Sequence, residues 1–145
     1  MDIIKEFQGE FRWLSNFAPC EILFVDGKYK SVEHAYMSAK SFDPEWKEFC
    51  QTEEKPGVIK KASRGIELIP NWNELKLIAM ADCLVQKFNQ KPYKQKLMDT
   101  GIAYIQEGNR WGDTFWGVDL RTGKGCNTLG VMIMAIRASL FHNVK

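Results

Sequence analysis

Histidine is scarce in this chain: there are two in 145 residues, His34 and His142. Cysteine occurs four times, as Cys20, Cys50, Cys83 and Cys126, always 30 or more positions apart and never as Cys-x-x-Cys. That disfavours zinc and disulfide frameworks and fits a reducing cytoplasm; no metal or cofactor is expected. The longest apolar run, Val131 to Ile136, is far short of the roughly 20 residues a membrane helix needs. The opening Met-Asp-Ile-Ile-Lys-Glu carries acids at once, unlike a signal peptide. The net charge is only +2, from 20 basic and 18 acidic residues, which makes no case for a broad nucleic-acid footprint but allows a local basic patch. There is no internal repeat and no low-complexity tract. No strand–helix alternation of the Rossmann kind is visible, nor any Ser-His-Asp order or reactive-cysteine setting.

What is present suits one domain spanning 1–145: 45% apolar and 26% charged residues are ordinary for a globular protein. Phe11, Trp13, Leu14 and Phe17 around Ser15-Asn16 predict a packed loop rather than a helix. Ile22–Val25, Asp26-Gly27 and Lys28–Lys30 predict a tight hairpin, because Asp-Gly tolerates the positive φ such turns require. Asp43-Pro44 opens a helix with Trp46, Phe49 and Cys50 inward. Val58–Arg64 is a short helix closed by Gly65. Leu77, Met80, Ala81, Leu84 and Phe88 recur at helical steps and predict the buried stripe of an amphipathic helix. Pro92 begins another helix that ends at Gly101, and Ile102–Gln106 suits a strand. Leu129–Phe141, apolar on nearly every side except Arg137, predicts a buried central helix. The expected fold is α+β: mostly helical, with an N-terminal β-hairpin and one or two later short strands.

Three stretches can carry chemistry. In Ser31–Phe42, Ser31 is a good N-cap and Glu33 sits in the first turn. Glu33 and Lys40, seven residues apart, fall on one stripe of a helix, with Cα atoms roughly 10 Å apart, too far for an ordinary i,i+4 ion pair. Both are either solvated or the acid and amine of a site. His34 is a possible general base, although a core histidine is the plainer reading. Between Gly108 and Gly130 lie six of the eleven glycines and two of the five tryptophans. There Trp111 and Trp116 flank Asp113, either as core rings or as faces for a flat heterocycle with a carboxylate between them. Arg121-Thr122-Gly123-Lys124-Gly125-Cys126-Asn127 lacks P-loop spacing. It still suits an anion, through free amides at a helix start, with Asn127 as N-cap, ligand contact or both. Lys60, Lys61 and Arg64 make a basic patch, Arg64 being the one best suited to phosphate.

Together these segments resemble the NADAR (YbiA-like) family over nearly the whole chain. The resemblance rests on Leu14-Ser15-Asn16-Phe17, Asp26-Gly27 with Tyr29, and Ser31-Val32-Glu33-His34-Ala35-Tyr36 leading to Lys40. It continues through Pro56-Gly57 with Lys60 and Arg64, Trp72 with Lys76, Lys87-Phe88, Thr100-Gly101 and Glu107-Gly108-Asn109. Trp111-Gly112, Phe115-Trp116-Gly117, Gly123-Lys124-Gly125 and Asn127-x-x-Gly130 complete it. Met37 stands where the family usually has Gln, and Ser63 where Gly usually precedes the Arg. The resemblance implies an N-glycosidase acting where ribose C1 meets the exocyclic amine of a base. The substrate would be a ribosylamine-phosphate intermediate of riboflavin synthesis, or ADP-ribose on guanine in DNA or RNA. Lys40, Glu33 and Asp113 are then expected to be catalytic, with Asn16, Arg64, Trp111, Trp116, Lys124 and Asn127 binding substrate. Lys40 would act either as a Schiff-base nucleophile or as an orienting group for hydrolysis by Glu33 and Asp113. The cleft that joins Lys40 to the two indoles is the expectation on which this picture leans. No obligate protein partner and no membrane are expected; a non-catalytic module that binds ADP-ribose or a nucleotide is the alternative.

Overall fold

The computed structural model describes residues 2–142. In chain order the elements are β1 (Ile3–Ile4), a 3₁₀ helix (Gly9–Leu14), β2 (Pro19–Phe24), β3 (Gly27–Ser31), α1 (Val32–Ser38), α2 (Pro44–Thr52) and α3 (Pro56–Ala62). After a second 3₁₀ turn (Ser63–Gly65) come α4 (Trp72–Phe88), α5 (Tyr93–Asp99), β4 (Tyr104–Ile105), β5 (Gly108–Asn109), β6 (Val118–Asp119) and α6 (Thr128–His142). This is the α+β, mostly helical architecture expected. The chain divides into two compact units: Asn16–Lys87 is one, and the residues up to Ser15 together with those from Phe88 onward are the other. No helix among the described residues is long and apolar enough to cross a membrane.

In the Asn16–Lys87 unit, β2 and β3 form the antiparallel hairpin, in register at Ile22↔Tyr29 and Phe24↔Gly27. Its turn sits one residue earlier than Asp-Gly suggests: Val25 and Asp26 span it, and the positive φ falls on Gly27, at 150°. Asp26 fixes that turn. It takes the Tyr29 hydroxyl on Oδ1 at 3.0 Å and Lys47 Nζ on Oδ2 at 3.0 Å. Helix α1 packs on the hairpin, α2 and α3. Asp43 caps α2 by accepting from the Glu45 amide at 3.0 Å, with Pro44 at the first position, as the sequence predicts.

The inward stripe of α4 is Trp72, Met80, Cys83, Leu84, Lys87 and Phe88, whereas Leu77 is exposed. A count of apolar residues passes over Lys87, which holds a core position with no exposure at all. There burial lowers its pKa to about 7, with Cys20 pulling the other way.

In the other unit β1 pairs with β4 and β5 with β6, both parallel. Gly9–Leu14, expected as a loop, winds into a 3₁₀ helix that leaves Leu14 buried. Helix α6 is one-sided rather than central. Leu129, Ile133, Ile136 and Leu140 are buried at helical spacing, while Val131 and Phe141 are exposed. Its one expected outlier, Arg137, is buried too: Nη1 donates to Thr100 Oγ1 at 2.8 Å, at the C-terminal end of α5, where the helix dipole favours a cation.

Candidate functional site

Within the Asn16–Lys87 unit the candidate chemistry gathers around α1. Ser31 has extended backbone and its side chain accepts from the His34 amide at 3.1 Å, the expected N-cap. The Glu33 amide donates to the Asn16 carbonyl at 3.0 Å, so the second and third amides of the helix are satisfied. Asn16 is thereby tied to the start of α1. Its Nδ2 lies 3.6 Å from Met80 Sδ, and its Oδ1 is a buried acceptor without a partner.

The helix stops at Ser38, two residues short of Lys40, which corrects the single-stripe expectation. Lys40 lies in the tightened turn that follows: its amide donates to the Met37 carbonyl at 3.3 Å, and its carbonyl accepts from Ile69 at 2.8 Å. The cause is downstream. Ser41 Oγ accepts from the Asp43 amide at 3.0 Å, and Pro44 bars a helical Asp43. The amine therefore hangs from a backbone position pinned on both sides.

Glu33 is 5% exposed and Lys40 half-buried. Burial raises the Glu33 pKa, against the pull of Lys60 and then Lys40. Burial likewise lowers that of Lys40; Glu33 opposes this, while Lys60 and Lys76 add to it. Both groups are driven toward their neutral forms, a carboxylic acid and a free amine. Lys40 Nζ lies 5.6 Å from the Tyr36 ring centroid, Tyr36 packs on Trp72 at 5.3 Å, and Lys60 Nζ lies 5.8 Å from the Phe17 ring. Arg64 is exposed in the second 3₁₀ turn. Met37, at the usual Gln position, is 5% exposed, and its carbonyl accepts from the Trp46 indole at 2.8 Å. The His34 ring is engaged at both nitrogens, Nδ1 with Ser31 Oγ at 2.6 Å and Nε2 with the Glu53 carbonyl at 2.8 Å. It is a core histidine that ties α1 to the end of α2.

The other unit holds Trp111, Asp113, Trp116, Lys124 and Asn127. Asn109, 1% exposed, grips the tryptophan loop: Oδ1 accepts from the Asp113 amide at 3.0 Å and Nδ2 donates to the Asp113 carbonyl at 2.9 Å. Asp113 Oδ1 in turn accepts from the amides of Phe115 at 3.1 Å and Trp116 at 2.9 Å. One oxygen of this candidate acid is thus committed to shaping the loop. Trp111 is 61% exposed, and Trp116 is half-buried, edge-on to Phe115.

The free amides expected before α6 are already bonded. Cys126 donates to Thr114, Asn127 to Gly117, Thr128 to Phe115 and Leu129 to Trp116, at 2.8–3.2 Å. The glycines serve this self-contact. A β-carbon at Gly117 would strike Glu107, and one at Gly125 would strike the Gly117 carbonyl. Asn127 is N-cap by backbone alone, its carbonyl accepting from Val131 at 2.9 Å. Its side chain, 2% exposed, is spent elsewhere: Nδ2 donates to the Ile105 carbonyl at 2.9 Å and the Tyr104 hydroxyl at 3.3 Å, and Oδ1 accepts from Glu107 at 2.9 Å. Both amide hydrogens are thus committed inside the protein, and Oδ1 holds the Glu107 amide. Lys124 is exposed.

The structure therefore brings Glu33, Lys40 and Asn16 together around α1, and Asp113, Trp116 and Asn127 around one loop. Lys76 as a charged neighbour of Lys40, and Asn109 as the clamp, escaped the residue-by-residue reading. The i,i+4 spacing of Trp72 and Lys76 was the available signal for the first.

A family model described as the NADAR domain matches residues 4–141. N-glycosidase YbiA of Escherichia coli (strain K12) is 33% identical over 136 residues, 91% of this chain and 81% of that protein. N-glycosidase YbiA of Shigella boydii shows the same identity and coverage. A riboflavin biosynthesis protein of Vibrio vulnificus is 30% identical over 131 residues, 88% of this chain but only 35% of that longer protein. The NMR structure of E. coli YbiA superposes with a TM-score of 0.85 at 27% identity, covering 97% of this chain and 86% of the other.

Proposed function

Because the chain belongs to the NADAR family, we propose that it is an N-glycosidase that hydrolyses the bond between ribose C1 and the exocyclic amine of a base. The observation that carries this reading is the Glu33–Lys40 pair, in which burial is the largest influence on both groups and favours the acid and the free amine. Those are the forms that glycosylamine chemistry requires. The glycosylamine opens to an imine at C1. The lone pair of Lys40 Nζ forms a C–N bond there, and the base amine departs with the proton that Glu33 supplies. Water then adds to the lysine Schiff base as Glu33 takes its proton, the C–N bond to Lys40 breaks, and the sugar is released.

Direct hydrolysis by Glu33 and Asp113 is the competing route. It asks Asp113 to serve through Oδ2 while Oδ1 holds two amides; the covalent route makes no such demand. Within the Asn16–Lys87 unit, Arg64 is assigned to the substrate's phosphate, with Asn16 as a supporting contact. In this reading 1–145 acts as one NADAR domain in a reducing cytoplasm, where four free cysteines are at home. The substrate is a ribosylamine-phosphate intermediate of riboflavin synthesis or an ADP-ribosylated guanine. The Vibrio relative's name favours the first. Met37 is a core position here, so the departure from Gln does not by itself argue for a binding-only module.

The test is turnover of both substrates with sodium borohydride present. The expected result is release of free base in its absence and, in its presence, a reduced sugar adduct on Lys40. No release from either substrate would refute the glycosidase reading. Release without an adduct would refute the covalent route alone.

A further inference from the structure

Within the Asn16–Lys87 unit there is a cavity that the Glu33–Lys40 chemistry does not use. Its volume is about 350 Å³, enough for a small ligand, and it is lined by Leu68, Ile69, Asn71, Trp72, Asn73 and Glu74. Two of these walls tie it to Lys40. The Ile69 amide donates to the Lys40 carbonyl at 2.8 Å. The Trp72 ring lies 5.3 Å from the Tyr36 ring centroid, and Lys40 Nζ lies 5.6 Å from that same centroid.

The lining mixes apolar surface with polar groups that no protein partner occupies. Leu68 is 48% exposed, and Trp72 is 7% exposed. The Trp72 indole N–H has no acceptor among the described residues, although a buried indole normally finds one. It is not sealed in: the fully buried, unpartnered side-chain polar atom among the described residues is Asn16 Oδ1. The Asn71 carbonyl accepts from the Glu74 and Leu75 amides at 3.0 Å each, so the start of α4 is held by backbone and the Asn71 carboxamide is not spent on it. The carboxamides of Asn71 and Asn73 and the Glu74 carboxylate are exposed and have no partner among the described residues. A carboxylate in the wall repels the phosphate end of a substrate and selects N–H donors.

We propose that this cavity receives the base of the substrate, an amino-oxo heterocycle that shows a ring N–H and an amino N–H side by side. This rests on the glycosidase reading for its purpose and deepens it by giving the base a place. Glu74 accepts the two neighbouring donors on its two oxygens, a paired, charge-assisted contact. The Trp72 N–H donates to the oxo group beside them. The Asn71 and Asn73 carboxamides, each both donor and acceptor, serve the remaining ring nitrogens, while Leu68 and Ile69 cover the apolar face. Guanine carries this edge, and so does an amino-oxo pyrimidine, so recognition is by edge and not by ring size. Ile69 both lines the cavity and holds the Lys40 backbone, which fixes the spacing between a bound base and the amine.

The test titrates the full chain by calorimetry with guanosine and with diaminohydroxypyrimidine. Each is paired with the analogue that lacks the amino group next to the ring N–H, inosine for the first and aminohydroxypyrimidine for the second. The proteins are wild type, Glu74→Gln and Leu68→Ala, both substitutions being at exposed positions. Wild type is expected to bind at least one edge-bearing probe saturably and about tenfold more tightly than its analogue. Which probe binds separates a purine from a pyrimidine base. Glu74→Gln should reduce the preference to about twofold, whereas Leu68→Ala should weaken probe and analogue alike. With turnover, Glu74→Gln raises KM about tenfold and leaves kcat within about threefold. Absence of saturable binding of either probe in the wild type would overturn the proposal and leave the glycosidase standing. So would a preference, or a KM, that is unchanged in folded Glu74→Gln. A chain that holds an edge-bearing probe through Glu74 yet turns over neither substrate keeps the base site and loses the glycosidase.

Discussion

Two regions of this molecule are rich in polar groups and use them in opposite ways. From 105 to 130 the amides, carboxylates and carboxamides are bonded to one another: Asn109 to Asp113, Asp113 to Phe115 and Trp116, Asn127 to Ile105 and Glu107, and the amides before α6 to loop carbonyls. Around α1, a carboxyl group and an amine are withdrawn from water with burial working against both charges. A loop that spends its hydrogen bonds internally is a rigid platform. A pair whose burial works against both charges is a perturbed site that the fold must stabilise by other means. Polar density and perturbed ionisation are thus separate properties, carried here by different segments.

The sharpest way to break this contrast is at Lys40. Replacement by Met is expected to lower kcat by about a thousandfold or more, as for loss of a covalent nucleophile, while the thermal midpoint stays within a few degrees. The fold is spared because the position is half-buried and its structural bonds, to Met37 and Ile69, are made by the backbone. Stopped-time assay of base release together with a melting curve checks both halves. Collapse of the fold would move Lys40 into the same class as Asn109. Glu33→Gln comes next, with a loss of about a hundredfold or more in kcat. Because the folded-state pKa of Glu33 is raised, its stabilising contribution is complete below the unfolded value near 4.3 and is lost as pH rises through the folded value. The Gln variant should therefore be at least as stable as wild type at pH 7. A marked drop in its midpoint would show that the carboxylate performs structural work.

The opposite result is expected from the platform. Asn109→Ala removes both ends of the clamp on Asp113 and leaves buried groups unmatched, at a cost of about 2–4 kcal/mol to unfolding. Asn127→Ala does the same for Ile105 and Glu107 and costs about 2–3 kcal/mol. Denaturant unfolding gives both numbers, and tryptophan emission should shift for Asn109→Ala as Trp111 and Trp116 lose their fixed loop. If Asn127→Ala instead weakened substrate binding in a fully stable protein, the internal use of its amide would be disproved.

Sequence reading found the hairpin, the caps at Ser31 and Asp43, and the Pro92–Gly101 helix because each is local chemistry: a turn residue, an oxygen acceptor, a ring that fixes φ. It missed what depends on chain segments distant in sequence. The end of α1 before Lys40 follows from Ser41, Asp43 and Pro44 acting together, whereas helical spacing alone carries the helix past Lys40. Arg137 and Lys87 break the polar-outside pattern because distant groups receive them, Thr100 at the end of α5 for the first. The glycines between 108 and 130 are compositionally the same whether a ligand or a neighbouring carbonyl approaches them, so only coordinates separate the two uses. In the site, Glu33 and Lys40 were visible as residues, but their burial, and the company of Lys60 and Lys76, were not.

The smallest expected effect refines the contrast from inside α1, where neighbouring residues titrate in opposite senses. His34 is 2% exposed and burial lowers its pKa, partly offset by its bond to the Glu53 carbonyl. With Nε2 donating to that carbonyl, Nδ1 accepts from the Ser31 hydroxyl, so a second proton would have to displace a short hydrogen bond. The unfolded chain takes up this proton first. The stability that His34 contributes is therefore present above the unfolded pKa near 6.5 and is lost as pH falls from there through the folded value. Glu33 slopes the other way, losing stability as pH rises. Between pH 5 and 7.5 the wild-type midpoint should lose more toward acid than that of His34→Gln. In His34→Gln, which cannot be protonated and lacks the ring that bridges Ser31 to Glu53, the curve should lie lower at pH 7 and run flatter. The difference between the two curves isolates His34, because Glu33 is common to both. An unchanged acid slope in His34→Gln would mean that His34 titrates as it does in water, and its assignment to the core would fail.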